Sequence, residues 1–174
     1  MSKEKGVDYL LKAMKKVIKE YPEAKLLIAG DGKERENLVK LTKMLNIEKN
    51  VEFLGWKTKD ELKKIYEDID FLVVPSIWQE PFGLTAVEAM AYGRPVIAFD
   101  VSGLRESVEN DVNGFLVNVL DVNNLAEKII DLLKDENTLN KFSKNARKKA
   151  ELFSDEVFFR EIRKFYEKVY KRKI

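Results

Sequence analysis

Hydrophobic positions along the chain switch repeatedly between two periods. Val7, Leu10, Leu11, Met14, Val17 and Ile18 recur at three-four spacing, which predicts one face of a helix that Pro22 ends. Leu26 to Ala29 is a short unbroken apolar run, the pattern of a buried strand. The alternation then repeats: Gly30-Asp31-Gly32 turns into a helix carrying Leu38, Leu41 and Leu45, and Val51 to Leu54 is a strand closed by Gly55 and Trp56. Thr58 with Glu61 predicts a capping box for a helix bearing Leu62, Ile65 and Tyr66, followed by a strand over Phe71 to Val74. After Pro75 comes a polar loop, then a helix from Leu84 with Val87, Met90 and Ala91 on one face, ended by Gly93, then a strand from Val96 to Phe99. Ser102-Gly103-Leu104 turns into a short helix at Arg105 to Val108, and Gly114 to Val117 is the last strand. The remainder reads as helix: Leu125, Ile129, Leu132 and Leu133 mark one, Leu139, Phe142 and Ala146 a second, and Ser154 caps a third. Strands alternating with helices predict an α/β fold, an open, doubly wound parallel sheet of about five strands with helices on both faces. No strand precedes the first helix, so the pattern implies that the chain begins just after one.

The centre of this pattern carries the candidate chemistry. A strand, loop, helix, strand unit places Ser76 to Gly83 at the carboxyl edge of a parallel sheet, beside the free N–H groups of a helix start, where anions bind. Gly83 lets a ligand approach the backbone, and two carboxylates, Glu80 and Glu88, flank it. Composition narrows the chemistry further. Lys and Arg number 32 against 30 Asp and Glu, so no basic field points to nucleic acid. The chain has no Cys and no His, which excludes disulfides and thiolate metal sites and leaves acid-base work to carboxylates, Lys, Tyr, another domain or the substrate. No apolar run is long enough to span a membrane and Met1-Ser2-Lys3-Glu4 is no signal peptide, so a cytoplasmic protein is expected. Two tempting motifs are set aside. In Gly30-Asp31-Gly32 the third glycine of a dinucleotide fingerprint falls on Arg35, so the stretch reads as a tight turn rather than a pyrophosphate cradle. Asp68-Ile69-Asp70 precedes its strand, at the amino edge of the sheet, and reads as a helix-to-strand turn rather than a metal site.

Glu80 and Glu88 are separated by seven residues, with Pro81, Phe82 and Gly83 after the first. Together with Trp78-x-Glu80-Pro-Phe-Gly-Leu84, the run from Glu88 to Ala98 and Lys5-Gly-Val-Asp-Tyr-Leu-Leu11, this resembles the signature of retaining glycosyltransferases of the GT-B fold, the group of glycogen synthases and many mannosyltransferases. The whole chain is similar to the carboxyl-terminal, Rossmann-like, donor-binding half of such hexosyltransferases. The resemblance implies transfer from a guanosine, uridine or adenosine diphosphate sugar with retention of configuration and no obligatory metal. It implies that Lys5 holds the diphosphate together with the helix opening at Gly83, Leu84 and Thr85, because fixed cations and dipoles stabilise the charge that grows on the leaving group. Glu88 would accept from the ribose diol, Glu80 would face the transferred sugar, Phe82 would pack the loop, and the base would lie beside Phe53 and Gly55. An amino-terminal domain would carry the acceptor and any membrane association. A stand-alone nucleotide-binding module and a sugar-nucleotide epimerase of the same fold are the competing readings. In the final helix, Phe158 to Ile162 is expected to cover the domain's own core. Phe165 to Tyr170 is expected to meet the amino-terminal domain or, without it, to fray or pair with a second copy of the chain.

Overall fold

The computed structural model describes residues 1–171, and its five strands are all parallel. A single 3-10 turn, Lys3–Lys5, leads into α1 (Val7–Glu20), after which come β1 (Leu26–Ala29), α2 (Arg35–Leu45), β2 (Val51–Gly55), α3 (Lys59–Asp68), β3 (Leu72–Val74) and α4 (Leu84–Ala91). The rest is β4 (Val96–Phe99), α5 (Leu104–Ser107), β5 (Gly114–Val117), α6 (Val122–Lys134), α7 (Glu136–Glu151) and α8 (Asp155–Lys171). These bounds follow the sequence signals closely. Thr58 Oγ1 accepts from Glu61 N–H while the Glu61 carboxylate accepts from Thr58 N–H, the expected capping box on α3.

The two faces of the sheet are covered by different helices, and β4 shows how. All four of its residues are buried. Ile97 and Phe99 join a core made with α1, α2 and α6, including Leu11, Val17, Leu38, Leu125 and Ile129. Val96 and Ala98 point the other way, into a core with Ala86, Met90, Leu104 and Ala146 from α4, α5 and α7. Period-two side-chain alternation with apolar residues at every position is what a strand covered on both faces requires.

In two respects the structure corrects the sequence reading. The strands do not form one sheet: β1 pairs with β2, and β3 pairs with β4 and β4 with β5, with no pairing between β1 and β3. The apolar pattern identifies strands but says nothing of whether neighbours are within pairing distance. The second correction concerns α8. Phe158, Phe159 and Ile162, expected on the core, are 58%, 66% and 38% exposed, because α8 leaves the domain surface and carries its whole aromatic stripe into solvent.

Among the described residues no helix is long and apolar enough to cross a membrane.

Candidate functional site

The entry to α1 and the loop after β3 are locked together. Gly6 has φ 62°, and a Cβ on it would collide with the Pro75 carbonyl, so the turn lies flat against the end of β3. Ile77 N–H donates to the Glu4 carbonyl at 2.9 Å. This contact carries Lys5 across to the loop, where its Nζ meets Glu80 Oε1 at 2.5 Å. Ser76, buried at 1% exposure, donates its hydroxyl to the same oxygen at 2.7 Å. Burial of Glu80 acts to raise its pKa, but the Lys5 ammonium and the Ser76 hydroxyl outweigh that and hold the carboxyl below its ordinary range. The side chain is therefore a fixed anion beside an exposed cation. Gln79 supports the loop by accepting from Ser102 N–H at 3.3 Å.

The same loop delivers the start of α4. Gly83 takes φ 79°, ψ 50° as the residue before the helix, and a Cβ there would run into the Leu104 side chain. Ala86 and Val87 N–H both return to the Gly83 carbonyl, whereas the N–H groups of Leu84 and Thr85 have no hydrogen-bond partner among the described residues. Both residues are exposed, so two aligned donors with the positive end of the helix behind them face solvent. Glu88 lies one turn further on, exposed, with its Oε2 3.3 Å from the Tyr66 hydroxyl.

Sequence reasoning thus finds residues that the fold brings together, Lys5 with Glu80, and Gly83, Leu84, Thr85 and Glu88 along one helix start. Others play different parts. Phe82 packs edge-to-face on Phe153, centroids 5.3 Å apart, fastening the loop to the turn between α7 and α8. Phe53 packs its ring against the α1–α2–α6 core, with the Arg35 guanidinium 6.0 Å from its centroid. Gly55, at the carboxyl end of β2 with φ 71°, has open space where a Cβ would stand. Neither Phe53 nor Gly55 touches Glu80 or Glu88 in any hydrogen bond or ion pair, since they belong to the other sheet. Asp68 ends α3 and Asp70 precedes β3, at the amino edge as expected. Ser76 and Tyr66 were missed. The first is a single small residue in a loop, and the second reads as a core position of α3; neither has a periodic signal.

A family model described as glycosyl transferases group 1 matches residues 1–149. An uncharacterised glycosyltransferase of Methanocaldococcus jannaschii is 39% identical over 145 residues, which is 83% of this chain and 37% of that protein. Among solved structures, HepE of Anabaena in complex with UDP superimposes with a TM-score of 0.87 at 28% identity, over 96% of this chain and 46% of that one. A carboxyl-terminal domain of a glycosyl transferase group 1 family protein from Francisella tularensis, solved alone, superimposes with a TM-score of 0.79 at 27% identity, over 87% of this chain and 80% of that one. This chain spans less than half the length of the first two and corresponds to the carboxyl-terminal part of GT-B enzymes. Residues 1–149, which include the Lys5–Glu80 pair and α4, place the chain in the glycosyl transferases group 1 family.

Proposed function

We propose that this chain is the donor-binding half of a retaining hexosyltransferase, binding a nucleoside diphosphate sugar and transferring the sugar once an amino-terminal half presents the acceptor. The observation that carries the reading is the juxtaposition of the Lys5–Glu80–Ser76 cluster with the two unpartnered N–H groups of α4. A diphosphate seated on Leu84 and Thr85 N–H receives two dipoles, and Lys5 supplies a mobile cation beside them. Glu80, held ionised and oriented by Ser76, accepts from hydroxyls of the sugar and stabilises positive charge developing at its anomeric carbon. Glu88 accepts from the ribose, and the base lies toward the open edge at Gly55. No step in this scheme calls for a metal ion. Relatives crystallised with UDP support a nucleotide ligand, with uridine, guanosine and adenosine diphosphates as the candidate classes.

Titration calorimetry of the 174-residue chain with UDP, GDP and ADP tests this. One of the three is expected to bind, and Lys5→Ala to weaken it by about ten-fold or more, the loss of one charge-assisted contact. If none binds, or if Lys5→Ala leaves the affinity unchanged, the diphosphate site is elsewhere.

A further inference from the structure

Tyr66 sits on α3, before β3, and its ring is buried at 6% exposure. For packing alone a phenylalanine would serve, since the hydroxyl is what distinguishes the two. That hydroxyl meets one partner, Glu88 Oε2, across the junction of α3 and α4. The ring cannot move far. It stacks on Tyr92 with centroids 5.5 Å apart and planes 23° from parallel. Its backbone is tied down by Arg94, whose Nε donates to the Tyr66 carbonyl at 2.7 Å and whose Nη2 donates to the Glu67 carbonyl at 2.6 Å. Glu88, by contrast, lies on the exposed side of α4 and makes no other hydrogen bond among the described residues. A flexible carboxylate thus has one rigid anchor.

We infer that Tyr66 is a positioning residue for Glu88: its hydroxyl donates to Oε2, fixes the carboxylate in one rotamer, and leaves Oε1 and the outer lone pair of Oε2 to accept from a vicinal diol. The inference rests on the nucleotide-binding reading above, with the ribose as the diol. Two further facts agree. Burial first, and then the charge of Glu88, push the pKa of the Tyr66 hydroxyl up, so it stays protonated and can only donate to the carboxylate. The separation of 3.3 Å lies within hydrogen-bonding reach, at the long end for an O–H···O bond. Fixing the rotamer beforehand removes an ordering cost from binding.

The test compares whichever of UDP, GDP and ADP binds with its 2′-deoxy counterpart by titration calorimetry on wild type, Tyr66→Phe, Glu88→Gln and the double variant. Wild type is expected to prefer the ribonucleotide. Tyr66→Phe should reduce that preference by about three- to ten-fold, the scale of one hydrogen bond, and leave binding of the 2′-deoxynucleotide nearly unchanged. The double variant should be no worse than Glu88→Gln alone, because the tyrosine acts through the glutamate. If wild type and Glu88→Gln bear out the ribose contact but Tyr66→Phe keeps the full preference, the positioning role is overturned and the nucleotide site stands. A lower melting temperature for Tyr66→Phe with the preference intact likewise assigns the hydroxyl to packing. If wild type does not distinguish the two nucleotides, or Glu88→Gln distinguishes them equally well, the ribose reading of Glu88 falls and this inference with it.

Discussion

Lys5 and Glu80 neutralise each other at 2.5 Å, so a diphosphate bound as proposed would have to draw Lys5 away from a carboxylate that Ser76 continues to hold. Two consequences follow for Glu80→Gln. The lysine is released, so affinity for the nucleoside diphosphate alone should stay the same or rise, while sugar transfer by a complete enzyme carrying the substitution should fall steeply. Equal loss of binding and transfer would show that Glu80 serves the diphosphate and not the sugar. The second consequence is a pH dependence of stability. The folded-state pKa of Glu80 lies below its ordinary value of 4.5, so its ionic contribution is fully present above that pH and is lost as pH falls below it. Urea melts of wild type and Glu80→Gln at stepped pH should therefore diverge above pH 4.5 and converge below it. Curves that stay parallel through that range would mean the ion pair contributes nothing in solution, as many exposed pairs do. At this scale the glutamates and Lys5 were legible because they stand in a spaced motif. Tyr66 and Ser76 were not, since a tyrosine at a helical core position looks the same whether or not its hydroxyl has work to do.

Elements were easier to read than residues. Capping chemistry at Thr58, the prolines at 22, 75 and 95 and the shift between periods located every strand and nearly every helix end, because these signals act within a few residues. What a helix face packs against is not local, and α8 shows the limit. Its first turns were expected on the core, yet Phe158 and Phe159 are 58% and 66% exposed, while Phe165, Tyr166 and Tyr170, expected to lie off this domain's core, are 64%, 67% and 72% exposed. Among the described residues the rings pair with their neighbours, Phe158 on Phe159 and Phe165 on Tyr166. A contiguous aromatic face of this kind associates in water. The isolated chain is expected to self-associate through α8, and sedimentation of a Phe165→Glu, Tyr170→Glu double variant should return a monomer with its nucleoside diphosphate affinity unchanged. A wild type that is already monomeric, with the end of α8 protected from hydrogen exchange, would show that the helix folds back onto its own domain.

At the scale of the molecule the governing feature is the break between β1 and β3. A doubly wound sheet reverses its strand order near the middle, and ligands gather at that crevice. Here β2 pairs with β1 and β3 with β4, and the amino-terminal residues bridge the segments after β1 and β3: Glu34 N–H donates to the Met1 carbonyl and Ile77 N–H to the Glu4 carbonyl. Among the described residues the edges of β1 and β3 away from β2 and β4 pair with no strand. Backbone directions identify those edges. Leu26 N–H donates to Asn50 and Leu72 N–H to Pro95, so by alternation Leu27 on β1 and Val73 on β3 turn their N–H and C=O groups into the break. A parallel strand inserted there would join the two sheets, fix Gly55 relative to α4, and bring the proposed base side of the site into register with the proposed diphosphate side. Hydrogen exchange on the 174-residue chain and on a polypeptide of the relatives' length containing it makes this testable. The amides of Leu27 and Val73 should exchange freely in the short chain while those of Ile28 and Val74 are protected, and all four should be protected in the long one. If Leu27 and Val73 are as slow as their neighbours in the short chain, the sheet closes without help, and an inserted strand is not what couples the two halves of the site.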